Sequence, residues 1–148
     1  MGEGRTALVT VGYEGRTAEQ LVQALVNDDV DVLVDVRLTP SSRKPGLSKS
    51  KLSAELEQAG VRYMHLRALG NPRDNRTGFR AGDPASQHRY AEVLGGEDAD
   101  AALRQLEELL TASRVALLCF ERDSGACHRQ AIADELLRRR PGLRLKHV

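Results

Sequence analysis

The chain has no tryptophan, and only three tyrosines and two phenylalanines in 148 residues. That leaves too few aromatic faces to build the stacking platforms that hold single-stranded nucleic acid. Two cysteines cannot make a disulfide framework. The longest unbroken apolar run, Val115 to Phe120, is six residues, against the roughly 20 that span a bilayer, so no membrane partner is expected. The opening residues lack the basic segment followed by an apolar one that a secretory signal requires. The expectation is a cytoplasmic protein whose thiols stay reduced. Several chemical signatures are missing too. There is no GxxxxGK[ST] phosphate loop, no GxGxxG after the first apolar run, no paired CxxC, no HExxH and no HxE with PCxxC. The standard nucleotide, zinc and deaminase sites are thereby set aside, and neither a metal nor a cofactor is expected. Cys127 is followed directly by His128 and Arg129, which is not the thiolate, five residues and arginine of an ordinary phosphotyrosine phosphatase.

What is present is the composition of a globular chain, 41% apolar and 29% charged, and the length fits one domain over residues 1–148. The net charge of +1 hides an uneven distribution. Residues 1–36 carry two basic and seven acidic groups, residues 37–89 eleven and four, and residues 90–148 nine and ten. Eighteen of the 22 basic residues are arginine, whose planar fork fits phosphate or carboxylate oxygens. The cationic middle points to an anionic partner, either a small molecule or a nucleic acid. The alternative is that these arginines are ordinary solvated cations.

Apolar runs alternate with amphipathic ones. Ala7 to Gly12, Val32 to Val36, Val61 to Leu66 and Val115 to Cys119 read as strands, apolar enough to be covered on both faces. Thr17 with Gln20 forms a capping box ahead of the stripe Leu21, Val22, Leu25 and Val26. Helices are also expected over Lys49 to Ala59, with Gly60 as their stop, over Asp98 to Ser113, and over His128 to Arg140 before Pro141-Gly142. Arg67 to Ser86 reads as a long structureless connection and His88 to Leu94 as a short helix, while Leu143 to Val148 reads as an edge strand. The fold class expected is a three-layer α/β sandwich, with a mainly parallel sheet of four or five strands and helices on both faces.

In such a sheet, ligands bind beyond the carboxyl ends of the strands. The loops at that rim hold Gly12 and Tyr13; Arg37, Pro40, Ser42 and Arg43; Gly70 and Asn71; and Glu121 through Cys127, His128 and Arg129. Cys127 lies where a loop enters a helix, so unpaired backbone N–H groups, the helix dipole and Arg129 would lower its pKa. It is either a reactive thiolate or an inert thiol packing the helix start. Cys119, inside an apolar strand, reads as a core residue. Glu121 is placed to act as acid, base or arginine partner, and His128 to assist. Tyr13, Arg37, Ser42, Arg43, Asn71 and Arg129 are the expected substrate contacts, with Asp35, Gly12, Pro40 and Gly70 as structural support. If the second strand is regular, Asp35 and Arg37 are expected to point one inward and one outward. His65 is either a core histidine or part of the site.

The segments TVGYEGRT, DVRLTPSSRKPGLSK, YMHLRALGNPRDNR and LLCFERDSGACHRQ together resemble the successive markers of the bacterial and archaeal family called domain of unknown function 488, over roughly Ala7 to Leu137. The resemblance implies that Asp35, Arg37, Pro40, Ser42, Arg43, Gly70, Glu121, Cys127, His128 and Arg129 occupy the family's recurring positions, with Cys-His-Arg suspected of catalysis. It supplies no substrate. The Asp-Val-Arg after the second strand also resembles rhodanese-like sulfurtransferases, although no CxxGxR loop follows Cys119. The function expected is a small thiol-dependent hydrolase or transferase acting on a phosphate-bearing substrate. The alternatives are a noncatalytic nucleic-acid-binding module using the arginine-rich middle, or a rhodanese-like sulfur-handling protein. A metal site of Cys127, His128 and Glu121 ranks last, since adjacent Cys and His seldom face one ion. The sequence sets no oligomeric state.

Overall fold

The computed structural model describes residues 6–40, 42, 45–122 and 127–148. Five runs form strands: β1 (Ala7–Gly12), β2 (Val32–Asp35), β3 (Arg62–His65), β4 (Arg114–Cys119) and β5 (Leu145–His147). They make an all-parallel sheet in the order β3-β2-β4-β1-β5. The longer helices are α1 (Ala18–Asn27), α2 (Lys49–Gln58), α4 (Pro84–Leu94), α5 (Glu97–Leu109) and α6 (His128–Arg139), with a short α3 (Arg76–Arg80). Among the described residues no helix is long and apolar enough to cross a membrane.

Strand side chains alternate between faces, and the two faces meet different helices. Val9, Val11, Leu33, Ala116 and Leu118 pack against Leu21 and Leu25 of α1 and Leu52 and Leu56 of α2. Leu8, Val32, Val34, Val115, Leu117 and Cys119 pack against Tyr90, Leu103, Leu106, Ile132 and Leu136 of α4, α5 and α6. This is the three-layer sandwich that the near-continuous apolar strands require. Register levels the carboxyl ends: Gly12 lies beside Cys119, Asp35 beside Leu118, and His65 beside Asp35. Whatever follows four of the strands is therefore delivered to one rim.

Helix α1 begins with the expected box, in which Thr17 and Gln20 each accept the other's backbone N–H. The stretch expected to lack structure does not. It holds 3-10 turns at Arg67–Leu69 and Arg73–Asn75, then α3, and α4 starts at Pro84 rather than His88. Pro84 stands in the first turn of α4, where a proline costs no hydrogen bond, and Asp83 caps the helix by accepting from the Ala85 amide at 3.1 Å. The Tyr90 hydroxyl donates to the Leu69 carbonyl at 2.6 Å and ties α4 to the first turn. β5 is an edge strand beside β1, shorter than its apolar-polar alternation suggests.

Opposite the rim, Asp28 at the end of α1 receives Arg114 from the start of β4 at 3.1 Å and Lys146 from β5. Burial pushes its carboxyl up, but the hydrogen bonds from Lys146 and Arg114 outweigh burial and hold it below the usual carboxylate range. A depressed folded pKa contributes stability above the unfolded value that is lost as pH falls. Asp28→Asn should therefore be less stable than the parent in urea at pH 7, and the gap should shrink as the pH drops below about 4. A gap that stays constant down to pH 2 would assign the effect to packing instead.

Candidate active site

β4 ends in Cys119, whose side chain shares the face of Val115 and Leu117, the face on which α6 packs. Cys127 is the N-cap of α6, with extended backbone and no side-chain capping bond, so its sulfur is not occupied with the helix. The two sulfurs, from residues eight apart, lie against each other. This corrects the expectation of Cys119 as merely a core residue, since it stands beside Cys127. The parity of β4 and the packing of α6 over its end bring the cysteines together.

His128 and Arg129 each attend one sulfur. His128 is 8% exposed, and its Nε2 donates to the Val36 carbonyl at 2.7 Å. With the proton on Nε2, the Nδ1 lone pair faces Cys127 Sγ at 3.7 Å. Burial pushes the imidazole pKa down, against weaker opposing effects of the Val36 bond and Glu121, so the ring is held neutral. Arg129, 1% exposed, directs Nη1 to Cys119 Sγ at 3.1 Å and to the Glu121 carbonyl, and Nη2 to the Arg122 carbonyl at 2.9 Å. It therefore faces inward, not toward a ligand at the rim. Glu121 places Oε2 3.8 Å from Cys119 Sγ and receives Arg80 on Oε1 at 3.0 Å. Gly12 keeps this arrangement possible, because a Cβ there would overlap the Glu121 carbonyl that Arg129 binds.

The other expected residues form a separate cluster across the sheet. Arg37 donates through Nε and Nη2 to the two oxygens of Asp35 at 2.9 and 2.7 Å, and through Nη1 to the Leu47 carbonyl at 2.8 Å. Tyr63 donates to the same carboxylate, and the guanidinium stacks 5.3 Å from the Tyr13 ring centroid. Asp35 and Arg37 are two positions apart and lie on one side of the sheet. The expectation that one points in and the other out is thus corrected. Leu47 and Tyr13 belong to the core against α1 and α2, while the cysteines belong to the opposite core. Burial raises the Tyr63 pKa, and its bond to Asp35 raises it further. Ser42 and Pro40 fasten the loop to the start of α2: the Ser42 amide donates to Ser48 Oγ at 3.0 Å and Lys49 N to the Pro40 carbonyl at 2.9 Å. Asn71 is buried and accepts from Asn75 at 2.9 Å. Gly70 rests on Leu38, whose Cα would lie 2.5 Å from an added Cβ. His65 Nε2 donates to the Arg37 carbonyl at 2.7 Å. Arg43 lies outside the described residues.

Cys127 is 1% exposed but forms part of the floor of a cleft of about 590 Å³ between α4 and α6. Phe79 and Ala91 give the cleft an apolar wall, and its charged lining is Asp134, Glu135 and Arg138. Donor atoms of Cys119, Cys127 and His128 all lie within 4.8 Å of one another, a spacing open to a metal ion. Sequence reasoning missed Cys119, although its parity with Leu117 places it on the face that α6 covers. Arg80 and the cleft wall were missed because the segment that carries them reads as irregular.

A parallel α/β sandwich with paired cysteines at the carboxyl rim describes the class. The chain belongs to the family described as Domain of unknown function DUF488, whose family model matches residues 17–136. No curated protein matches the chain.

Removing one partner of the buried Asp35–Arg37 pair strands the other charge. Asp35→Asn should cost about 3–5 kcal/mol of unfolding free energy in urea titrations. Asp35→Asn combined with Arg37→Met should recover much of that loss, whereas additive losses in the double variant would mean the two side chains act independently.

Proposed function

We propose that the protein is a thiol–disulfide enzyme working on small disulfides or thiols, through the Cys119–Cys127 pair. One observation carries this reading: a buried cysteine pair in which Arg129 attends one sulfur and the bare Nδ1 of His128 the other. A disulfide there joins residues eight apart, and so short a loop restrains the unfolded chain less than a long one does, so a structural purpose is weakly served.

In the reduced protein, Cys127 gives its proton to His128 Nδ1 and attacks one sulfur of a disulfide R–S–S–R that enters the cleft. The S–S bond breaks, and the departing R–S⁻ takes the proton, leaving a mixed disulfide on Cys127. Arg129 stabilises the Cys119 thiolate, which attacks Cys127 Sγ and expels the second R–S⁻. Glu121 is placed to accept the proton of Cys119 and pass it to that product. Two protein thiols and one R–S–S–R become one protein disulfide and two R–SH, and two further thiols reverse the cycle.

The phosphate-directed expectation receives less support. Among the described residues the cleft at Cys127 is lined by a single arginine, Arg138, and Arg37, Arg80 and Arg89 of the cationic middle pair with Asp35, Glu121 and Asp74. The test is turnover of 2-hydroxyethyl disulfide with a thiol as co-substrate. Cys127→Ser should abolish turnover, and Cys119→Ser should stop at a mixed disulfide on Cys127 visible by mass spectrometry. In the reduced parent, Cys127 should alkylate readily near pH 6, whereas an ordinary thiol needs about pH 8.5. Full turnover by Cys119→Ser, or no reaction of the reduced parent with the disulfide, would sink the reading.

A further inference from the structure

The geometry points to a second use of the same atoms: with the disulfide reduced, Cys119, Cys127 and His128, joined by Glu121, bind one divalent ion of the zinc class. This goes beyond the exchange reaction and rests only on the disulfide being reducible. The two sulfurs and the His128 nitrogen already lie within 4.8 Å of one another. Glu121, outside that group but with Oε2 3.8 Å from Cys119 Sγ, turns in as the fourth donor to complete a set that a borderline-soft ion takes in tetrahedral geometry. With Zn–S near 2.3 Å and Zn–N near 2.0 Å, ligand atoms in such a site stand roughly 3.5–3.8 Å apart. Cys127 Sγ lies 3.7 Å from His128 Nδ1, and Cys119 Sγ lies 3.8 Å from Glu121 Oε2. Reduction removes the S–S bond and lets the two sulfurs part to that same spacing.

The surroundings fit an ion as well. The Nε2–H of His128 is committed to the Val36 carbonyl at 2.7 Å, the outer contact that orients metal-bound histidines and fixes which nitrogen faces the metal. Two thiolates and Glu121 supply three negative charges, which a divalent cation and Arg129 balance. Arg129 Nη1, 3.1 Å from Cys119 Sγ, is placed as an N–H donor to a bound thiolate. The sequence argument against adjacent Cys and His facing one ion fails here. Cys127 is the extended N-cap and His128 the first helical residue, so the chain turns between them and both side chains reach one point.

The test uses the full chain, reduced with a phosphine under anaerobic conditions and titrated with Co²⁺ alone, then with Zn²⁺. One equivalent of Co²⁺ should give tetrahedral d–d bands and a sulfur-to-cobalt charge-transfer band, both removed by Zn²⁺. Cys119→Ser and Cys127→Ser should each remove the charge-transfer intensity of one thiolate, and His128→Gln, which removes a ligand, should weaken binding by more than the roughly 10–100-fold that loss of an outer-shell partner costs. Because a cysteine variant can fail to fold, a measurement on the parent stands beside these: bound Zn²⁺ should slow alkylation of both cysteines at least tenfold. Octahedral bands without charge transfer, no bound metal, or alkylation unchanged by Zn²⁺ would each overturn the inference. Exchange with 2-hydroxyethyl disulfide is assayed with a chelator present. Turnover without metal binding therefore defeats this inference alone, and metal binding without turnover defeats the exchange reading alone.

Discussion

The guanidinium of Arg129 reaches three groups that no stretch of regular structure would bring together: the end of β4 through Cys119, and the loop beyond it through the carbonyls of Glu121 and Arg122. A cation 1% exposed survives only where acceptors replace its water. Those acceptors are in place only when the loop lies flat on the carboxyl end of β1, and Gly12 is what allows that approach. Arg129 thereby ties the carbonyls of Glu121 and Arg122 to α6 and holds its N-cap, Cys127, over Cys119. A substitution at Arg129 reaches the sulfur chemistry by two routes, the charge beside Cys119 and the position of the whole helix start.

The sheet keeps two polar clusters apart. Asp35, Arg37, Tyr63 and Tyr13 lie toward α1 and α2, where a bidentate ion pair closes on itself and on the Leu47 carbonyl. The cysteines, His128 and Arg129 lie toward α4 and α6. The two sides share a border at the end of β2, where the Val36 carbonyl accepts His128 and Val36 N donates to the Leu118 carbonyl. Packing of the Asp35 cluster therefore sets the position of the backbone that orients the imidazole, although none of its side chains touches a sulfur.

Much of this was legible in the sequence, and the limits have physical causes. Doubly covered strands betray themselves by continuous apolar runs, so the parallel sheet, its edge strand and the rim followed directly, as did the box that opens α1. The rim argument gathered the loops that follow four of the strands. It could not divide them between the two sides of the sheet, because side depends on strand parity carried past the strand end. Period two already places Asp35 and Arg37 on one side, and expecting them to diverge misapplied that period. Pro84 misled for a different reason: the same residue ends helices in their interior and starts them at the first turn, and Asp83 decides between the two only through a capping bond. Cys119 stayed hidden because a buried thiol in an apolar strand looks like packing until the partner helix is known to cross it.

Dithiolate and disulfide differ by two electrons, since oxidation turns one lone pair on each sulfur into a single S–S bonding pair and passes the other two electrons to the oxidant, and this couples the two proposed activities. An ion held by Cys119 and Cys127 draws on lone pairs that the disulfide has committed to its S–S bond, so binding favours the reduced form by mass action. Each tenfold excess of ion over its Kd shifts the balance about tenfold, which for a two-electron couple is about 30 mV. An oxidant acting on the pair must first overcome that shift and release the ion, whereas a thiol acting on the disulfide leaves the donors ready for it. His128 serves both states without moving, since its Nε2–H bond to Val36 keeps Nδ1 aimed at the sulfurs whether it accepts a proton or a metal. The carboxylate is the fourth donor within reach: with Arg80, half-exposed, on its other oxygen, Glu121 holds Oε2 3.8 Å from Cys119 Sγ.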